Sequence, residues 1–145
     1  MDARLIYNPT AGPRDVRGDL KRLCSFFEAH GWSVELRMTE RPGDATRMAR
    51  QAAADRLEAV IVAGGDGTVN EVVNGLVGSE TALGVLPVGT GNLWAKELRV
   101  PTYTLANPTR LRSAARGLLE GQIRPIDVGQ VDGHVFLCWA SAGLD

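Results

Sequence analysis

Two short glycine-rich stretches, "GGDGT" at residues 64–68 and "PVGTGN" at 87–92, carry the chemistry most legible in this chain. An Asp-Gly pair is often a hairpin turn, but a hairpin needs period-two alternation on both sides. Here the upstream side, "EAVIVA" (58–63), is a continuous apolar run, and the downstream side places Val69, Val72, Val73 and Leu76 at helical spacing. Gly64 and Gly65 therefore end a strand and Gly67 opens a helix. Such a junction exposes unpaired backbone N–H groups at the positive end of the helix dipole, where phosphate is the natural guest. Glycine lets the backbone approach phosphate oxygens closely, and Thr68 can cap the helix or bond a phosphate.

The helix-terminus field contributes about 0.3–2 kcal/mol, whereas millimolar nucleotide binding needs roughly 4 kcal/mol, so a second element is required. "PVGTGN" supplies Gly89, Thr90, Gly91 and Asn92 after another strand, at the carboxyl edge where open α/β sheets bind ligands. Neither loop is a Walker A or a dinucleotide fingerprint. Asp66 discriminates among uses of the cleft. A carboxylate beside phosphates repels them unless it holds a divalent cation, holds a ribose or base donor, or takes a proton from an attacking hydroxyl. The plain alternative is that Asp66 only caps a helix. Glu71, one turn later, is placed to point toward the same cleft.

The elements that must position these loops alternate along the chain. "ARLIY" (3–7) reads as a buried strand, and "NPTAGP" as a loop. Val16, Leu20, Leu23 and Phe27 mark a helix that stops at "HGW" (30–32), and "SVELRM" (33–38) is a second strand. Residues 44–56 form a helix with Ala45, Met48, Ala49 and Ala52 on one stripe. "ALGVLP" (82–87) is a further strand, and "LWAKEL" a short helical turn. Asn107 and Pro108 open a last helix with Leu111, Ala114, Ala115 and Leu118 inward and Gly121 as its stop. This order predicts a doubly wound, mainly parallel α/β sheet with helices on both faces, over residues 1–122. "IRPIDVGQV" and "HVFLCWASAGL" around Asp132-Gly133 then predict an antiparallel hairpin over 123–145 with nothing to cover it. It is expected to open a second, β-rich domain beyond the chain.

With 145 residues, 44% hydrophobic, the chain can bury one ordinary core. Sixteen Lys plus Arg against 17 Asp plus Glu, without a basic run carrying aromatics, point away from a nucleic-acid groove. The charged start lacks a signal peptide's apolar stretch, and no apolar run approaches the roughly 20 residues that cross a bilayer. Cys24 and Cys138 lack zinc spacing and read as buried thiols in a reducing compartment, so a cytoplasmic protein, peripheral at most at the inner membrane surface, is expected. Arg14, Arg17, Lys21 and Arg22 read as a solvated helix face. Trp32, Trp94 and Trp139 read as core or interdomain contacts. His30 and His134 have no catalytic or metal partner in the sequence.

"GGDGTVNEVVNGL" (64–76), preceded by "NPTAG" (8–12) and followed by "LPVGTGNLWAKEL" (86–98), closely resembles the N-terminal part of the diacylglycerol kinase catalytic domain, shared by bacterial lipid kinases and sphingosine kinases. The resemblance implies a two-domain kinase with ATP in the cleft. A second domain would contribute the lipid pocket, much of the Mg²⁺ site and the catalytic base. It carries over Asn8, Pro9 and Gly12 as a first nucleotide loop, Thr39 at the second strand's end, Gly64 through Asn70 as the phosphate loop, and Thr90 and Asn92 in the third loop. Within it, Asp66 is the expected catalytic and metal-facing residue. Many members follow the asparagine with aspartate, where this chain has Leu93 and Trp94. The expected function is transfer of the γ-phosphate of ATP to a hydroxyl of diacylglycerol or a related long-chain lipid, with the chain alone inactive. An NAD kinase or phosphofructokinase-like kinase shares Gly-Gly-Asp-Gly, although "PVGTGN" favours the lipid kinases. A non-catalytic nucleotide-binding module is the alternative from another class.

Overall fold

The computed structural model describes residues 1–12, 15–89, 91–101 and 110–137. Four parallel strands, β1 (Asp2–Tyr7), β2 (Ser33–Met38), β3 (Ala59–Gly64) and β4 (Ala82–Pro87), form one sheet in the order β2-β1-β3-β4. The helices α1 (Arg17–Glu28), α2 (Asp44–Ala54) and α3 (Asp66–Leu76) connect them, followed by α4 (Leu93–Glu97) and α5 (Arg110–Glu120). The doubly wound α/β sheet expected from the sequence is what forms.

Alternation along each strand sorts side chains to two cores. Leu5, Tyr7, Ile61 and Ala63 pack with Leu20, Leu23 and Phe27 of α1 and with Leu111, Ala114 and Ala115 of α5. Ile6, Val60, Val62 and Val85 pack on the other face with Ala45, Ala49 and Ala52 of α2 and Val69, Val72 and Val73 of α3. The small residues of α2 let α3 come close. A Cβ on Gly75 would lie 2.5 Å from the Thr46 carbonyl oxygen, so only glycine fits at that crossing. Buried Arg4 is satisfied by Glu35 at 2.8 Å, Asp55 at 3.5 Å and the Met48 carbonyl at 3.1 Å.

Registers bring the strand ends level: Leu5 lies beside both Leu36 and Ile61, Tyr7 beside Ala63, and Gly64 beside Pro87. The loops after β1, β3 and β4 therefore leave the sheet at one edge. Connections run one way from β1 to β2 and the other way from β3 to β4, so a topological switch point falls between β1 and β3.

Downstream, the expected hairpin forms among the described residues, with 138–144 of its expected second strand outside them: β5 (Gly129–Val131) pairs antiparallel with β6 (His134–Phe136). Asp132 and Gly133 both have positive φ, as a tight primed turn requires. Residues 123–128, the first part of the strand expected over 123–131, form none. Pro125 cannot donate to a ladder, and no second strand lies beside this stretch among the described residues. Nor is the hairpin uncovered, because Val135 is buried against α3. Trp32 stacks on Phe27 with ring centroids 5.3 Å apart, as a core contact should. Cys24 is half-buried rather than buried, and this burial together with Glu28 raises its thiol pKa. Arg14, Asn107, Pro108, Cys138 and Trp139 lie outside the described residues. Among the described residues no helix is long and apolar enough to cross a membrane.

Candidate functional site

At the carboxyl edge, three loops surround an open cleft of about 450 Å³. One wall is Asn8, Thr10, Ala11 and Gly12 after β1; the floor is Gly65 through Thr68 with Glu71; the far wall is Gly89 and Gly91 after β4. Close backbone approach holds the loops together. Gly12 has φ +84°, and a Cβ there would run into the Val88 carbonyl. A Cβ on Gly89 would lie 2.5 Å from the Gly65 Cα.

Gly65 is the N-cap of α3 in extended conformation, with no side chain capping the helix. The first N–H groups of α3 have no intrahelical partner by geometry and belong to residues lining the cleft. Thr68 is buried, and its hydroxyl oxygen accepts a hydrogen bond from Asn8 Nδ2 at 3.0 Å. The Asn8 backbone N–H donates to the Ala63 carbonyl at 3.0 Å, and Asn8 Oδ1 accepts the Thr10 N–H and hydroxyl at 3.0 and 2.8 Å. Asn8 thus bridges β1 and β3 across the switch point and shapes its own loop.

Asp66 does cap a helix, but not its own. Its Oδ2 accepts the Leu93 N–H at 3.0 Å and its Oδ1 the Trp94 N–H at 3.2 Å, so the carboxylate spans the first turn of α4. Each oxygen keeps a further lone pair, and Asp66 still lines the cleft. Glu71 also lines it, while Glu71 Oε2 accepts the Gly43 N–H at 3.1 Å at the start of α2. Asp44, the first residue of α2, accepts the backbone N–H groups of Glu40 and Arg41 at 3.0 and 3.2 Å. The Glu40 N–H first, then Arg47, holds its carboxyl below the usual range.

The remaining expected residues divide. Asn92 is buried in left-handed conformation (φ 50°), and its side-chain amide donates to the Gly89 carbonyl, so it builds the third loop from behind. Thr39 is buried, with its N–H on the Tyr7 carbonyl at 2.9 Å and its hydroxyl at 3.4 Å from the same oxygen. Like Pro9, it supports the edge without lining the cleft. Asn70 lines a smaller neighbouring cavity instead. Thr90 lies outside the described residues.

Sequence reasoning passed over Thr10 and Ala11, which line the cleft. It also passed over Asn74, whose amide donates to the Val135 carbonyl at 2.7 Å and accepts the Val135 N–H at 2.9 Å. The available signal was an asparagine in the interior of a helix, directly after the apolar pair Val72 and Val73, where helices disfavour it unless its amide has work elsewhere.

Over 143 residues the chain is 41% identical to a diacylglycerol kinase of Bacillus subtilis and 34% identical to one of Staphylococcus saprophyticus. Each match covers 97% of this chain and 45% of the relative, so the chain spans about half the length of the curated relatives it matches. A crystal structure of a diacylglycerol kinase from Bacillus anthracis superposes with a TM-score of 0.80 at 31% identity, over 94% of this chain and 45% of that one. The part matched is the N-terminal one. The diacylglycerol kinase catalytic domain matches residues 2–131, a stretch that contains all three loops of the cleft, and the chain belongs to that family.

Proposed function

We propose that this chain is the ATP-binding half of a lipid kinase, which converts ATP and a long-chain alcohol such as diacylglycerol into ADP, the phosphorylated lipid and a proton. The observation that carries the reading is the uncapped N-terminus of α3 opening into the cleft at the switch point. The nucleotide phosphates lie over the N–H groups of Asp66, Gly67 and Thr68, between the Asn8–Gly12 loop and the Gly89–Gly91 loop. Phosphoryl transfer depends mainly on positioning and charge stabilisation, which backbone donors and rigid loops supply.

Among the described residues no group of three or more His, Cys, Asp or Glu could cage a metal. A nucleotide-borne Mg²⁺ needs no such cage. Asp66 and Glu71, which both line the cleft, would hold such an ion, since Mg²⁺ carried by a nucleotide takes only one or two protein carboxylates. When bound, the ion neutralises charge on the transferred phosphoryl group. Asp66 would hold the ion from one side while its bonds to the Leu93 and Trp94 N–H groups keep the third loop in place. No catalytic base is assigned to this chain, and residues 123–145 are assigned to the opening of a second domain. The chain alone is expected not to transfer phosphate.

Isothermal titration of the chain with Mg-ATP tests the reading. Binding is expected with Kd on the order of 1 mM or tighter, about 4 kcal/mol. No heat of binding with millimolar nucleotide overturns it.

A further inference from the structure

In the four-stranded sheet β2 is an edge strand. Its ladder with β1 runs from the Ser33 N–H on the Met1 carbonyl to the Thr39 N–H on the Tyr7 carbonyl, both at 2.9 Å. Along a parallel ladder, residues that bond one neighbour alternate with residues that face away from it. Ser33, Glu35, Arg37 and Thr39 therefore turn their backbone groups to β1, and Val34, Leu36 and Met38 turn theirs outward. No strand meets them there among the described residues. Free edges are templates for pairing, which natural proteins blunt with charge, proline, bulges or a covering element. The β2 ladder is unbroken, the strand has no proline, and its two charged side chains, Glu35 and Arg37, are of opposite sign. Both are open to solvent, with 43% and 56% of their side chains exposed.

We infer that this edge takes a second copy of the chain, with β2 pairing antiparallel to its twin about a two-fold axis at Leu36. Antiparallel strands exchange two bonds at every pair of residues whose backbone groups face each other. With Leu36 opposite Leu36, Val34 meets Met38 on either side, so every outward group of the strand is used. Glu35 then stands opposite Arg37 of the second copy, in the closer pairs that exchange no backbone bonds. Those charges select the register. A slip of two residues one way sets Glu35 against Glu35, and the other way sets Arg37 against Arg37, and like charges directly opposite are destabilising. A slip of one residue sets outward groups against inward ones and forms no ladder. On the other face of the strand Val34 and Leu36 pack beside the core under α1, and Met38 is 37% exposed, so pairing also covers a partly bare apolar row. The contact is isologous and closes at two copies. No residue of β2 lines the cleft, and the two clefts open in opposite directions, so the inference stands apart from the nucleotide reading.

Sedimentation equilibrium of the 145-residue chain tests it. One strand pair with its flanks is smaller than a standard interface, so a dimer with Kd on the order of 100 µM is expected. Arg37→Glu is expected to weaken dimerisation about tenfold or more, while Arg37→Lys, which keeps the charge, stays within about threefold of the parent. Circular dichroism shows that both variants are folded. A second measurement needs no substitution. Amide exchange at Val34, Leu36 and Met38 should slow as the concentration rises from about 10 µM to about 1 mM, while Glu35 and Arg37, already bonded to β1, keep their rates. A chain that stays monomeric at about 1 mM overturns the inference. So does a dimer that Arg37→Glu leaves intact, or one that leaves the Val34, Leu36 and Met38 amides unprotected.

Discussion

The junctions β3–α3 and β4–α4 look alike in sequence: each follows an apolar strand, carries glycines and opens a helix. They do different work. The helix α3 has 11 residues and an N-terminus that no side chain caps, so its first donors are left for a ligand. The helix α4 has five residues, and its first two N–H groups are already spent on the Asp66 carboxylate. Asp66 is in effect the anion bound at α4, which makes the second junction a wall of the cleft. A glycine-rich strand-to-helix turn is an anion site only where its donors are unclaimed, and an acidic residue on the neighbouring turn decides which junction that is.

The contrast can be broken most severely at Gly89. Gly89→Ala forces a Cβ against the Gly65 backbone, so thermal or denaturant unfolding should show a loss of about 1–3 kcal/mol, and titration should show no nucleotide binding. Unchanged ATP affinity would mean that the two junctions are not packed as described. Next is Asp66→Ala, which frees the donors of α4. Hydrogen exchange at Leu93 and Trp94 should accelerate, with stability lower by about 1 kcal/mol. In any longer form of the chain that transfers phosphate, turnover should fall about 100-fold or more while the fold persists. Near-normal turnover would reduce Asp66 to a cap.

A smaller effect separates site from scaffold. Nothing lies within 4 Å of a Cβ built on Gly67, so Gly67→Ala should fold as well as the parent or gain up to about 1 kcal/mol by melting. The added methyl stands at the α3 donors, and ATP affinity should drop several-fold. Unchanged affinity would move the phosphates away from α3. Gly117→Ala in α5, also in open space, should stabilise similarly and leave binding untouched.

The smallest effect is in pH. Asp44 is held below its ordinary pKa by the Glu40 N–H and Arg47, and Glu35 by Arg37 and Arg4. A depressed folded-state pKa contributes stability that is present above the unfolded value and lost as pH falls through the folded one. Stability should therefore decline on acidification below about pH 4, and Asp44→Asn should flatten that decline in denaturant melts. An unchanged slope would show that Asp44 does not hold the 40–44 turn beside Glu71.

Local pattern made much of this legible. The strands at 3–7, 33–38, 58–63 and 82–87 and the apolar stripes of α1, α2, α3 and α5 follow from periods of two and 3.6, which neighbouring residues set among themselves. The Asp132-Gly133 turn was readable because its two positive φ angles suit those residues. The first hairpin strand was overestimated for the complementary reason: residues 123–128 include the apolar Ile123, Ile126 and Val128 but have no neighbouring strand to pair with among the described residues.

What the sequence determined by itself, then, is the alternation of strands and helices, the glycine loops, and a carboxylate set among donors. Tertiary structure decided which strands are neighbours and which loops meet. The order β2-β1-β3-β4 puts the Asn8 loop against Thr68, 60 residues away. It also sends Asp66 to a helix 27 residues later, and Asn74 to a strand 61 residues later. Such pairings leave no periodic trace, because they depend on the path of the whole chain and not on the spacing of side chains along one element.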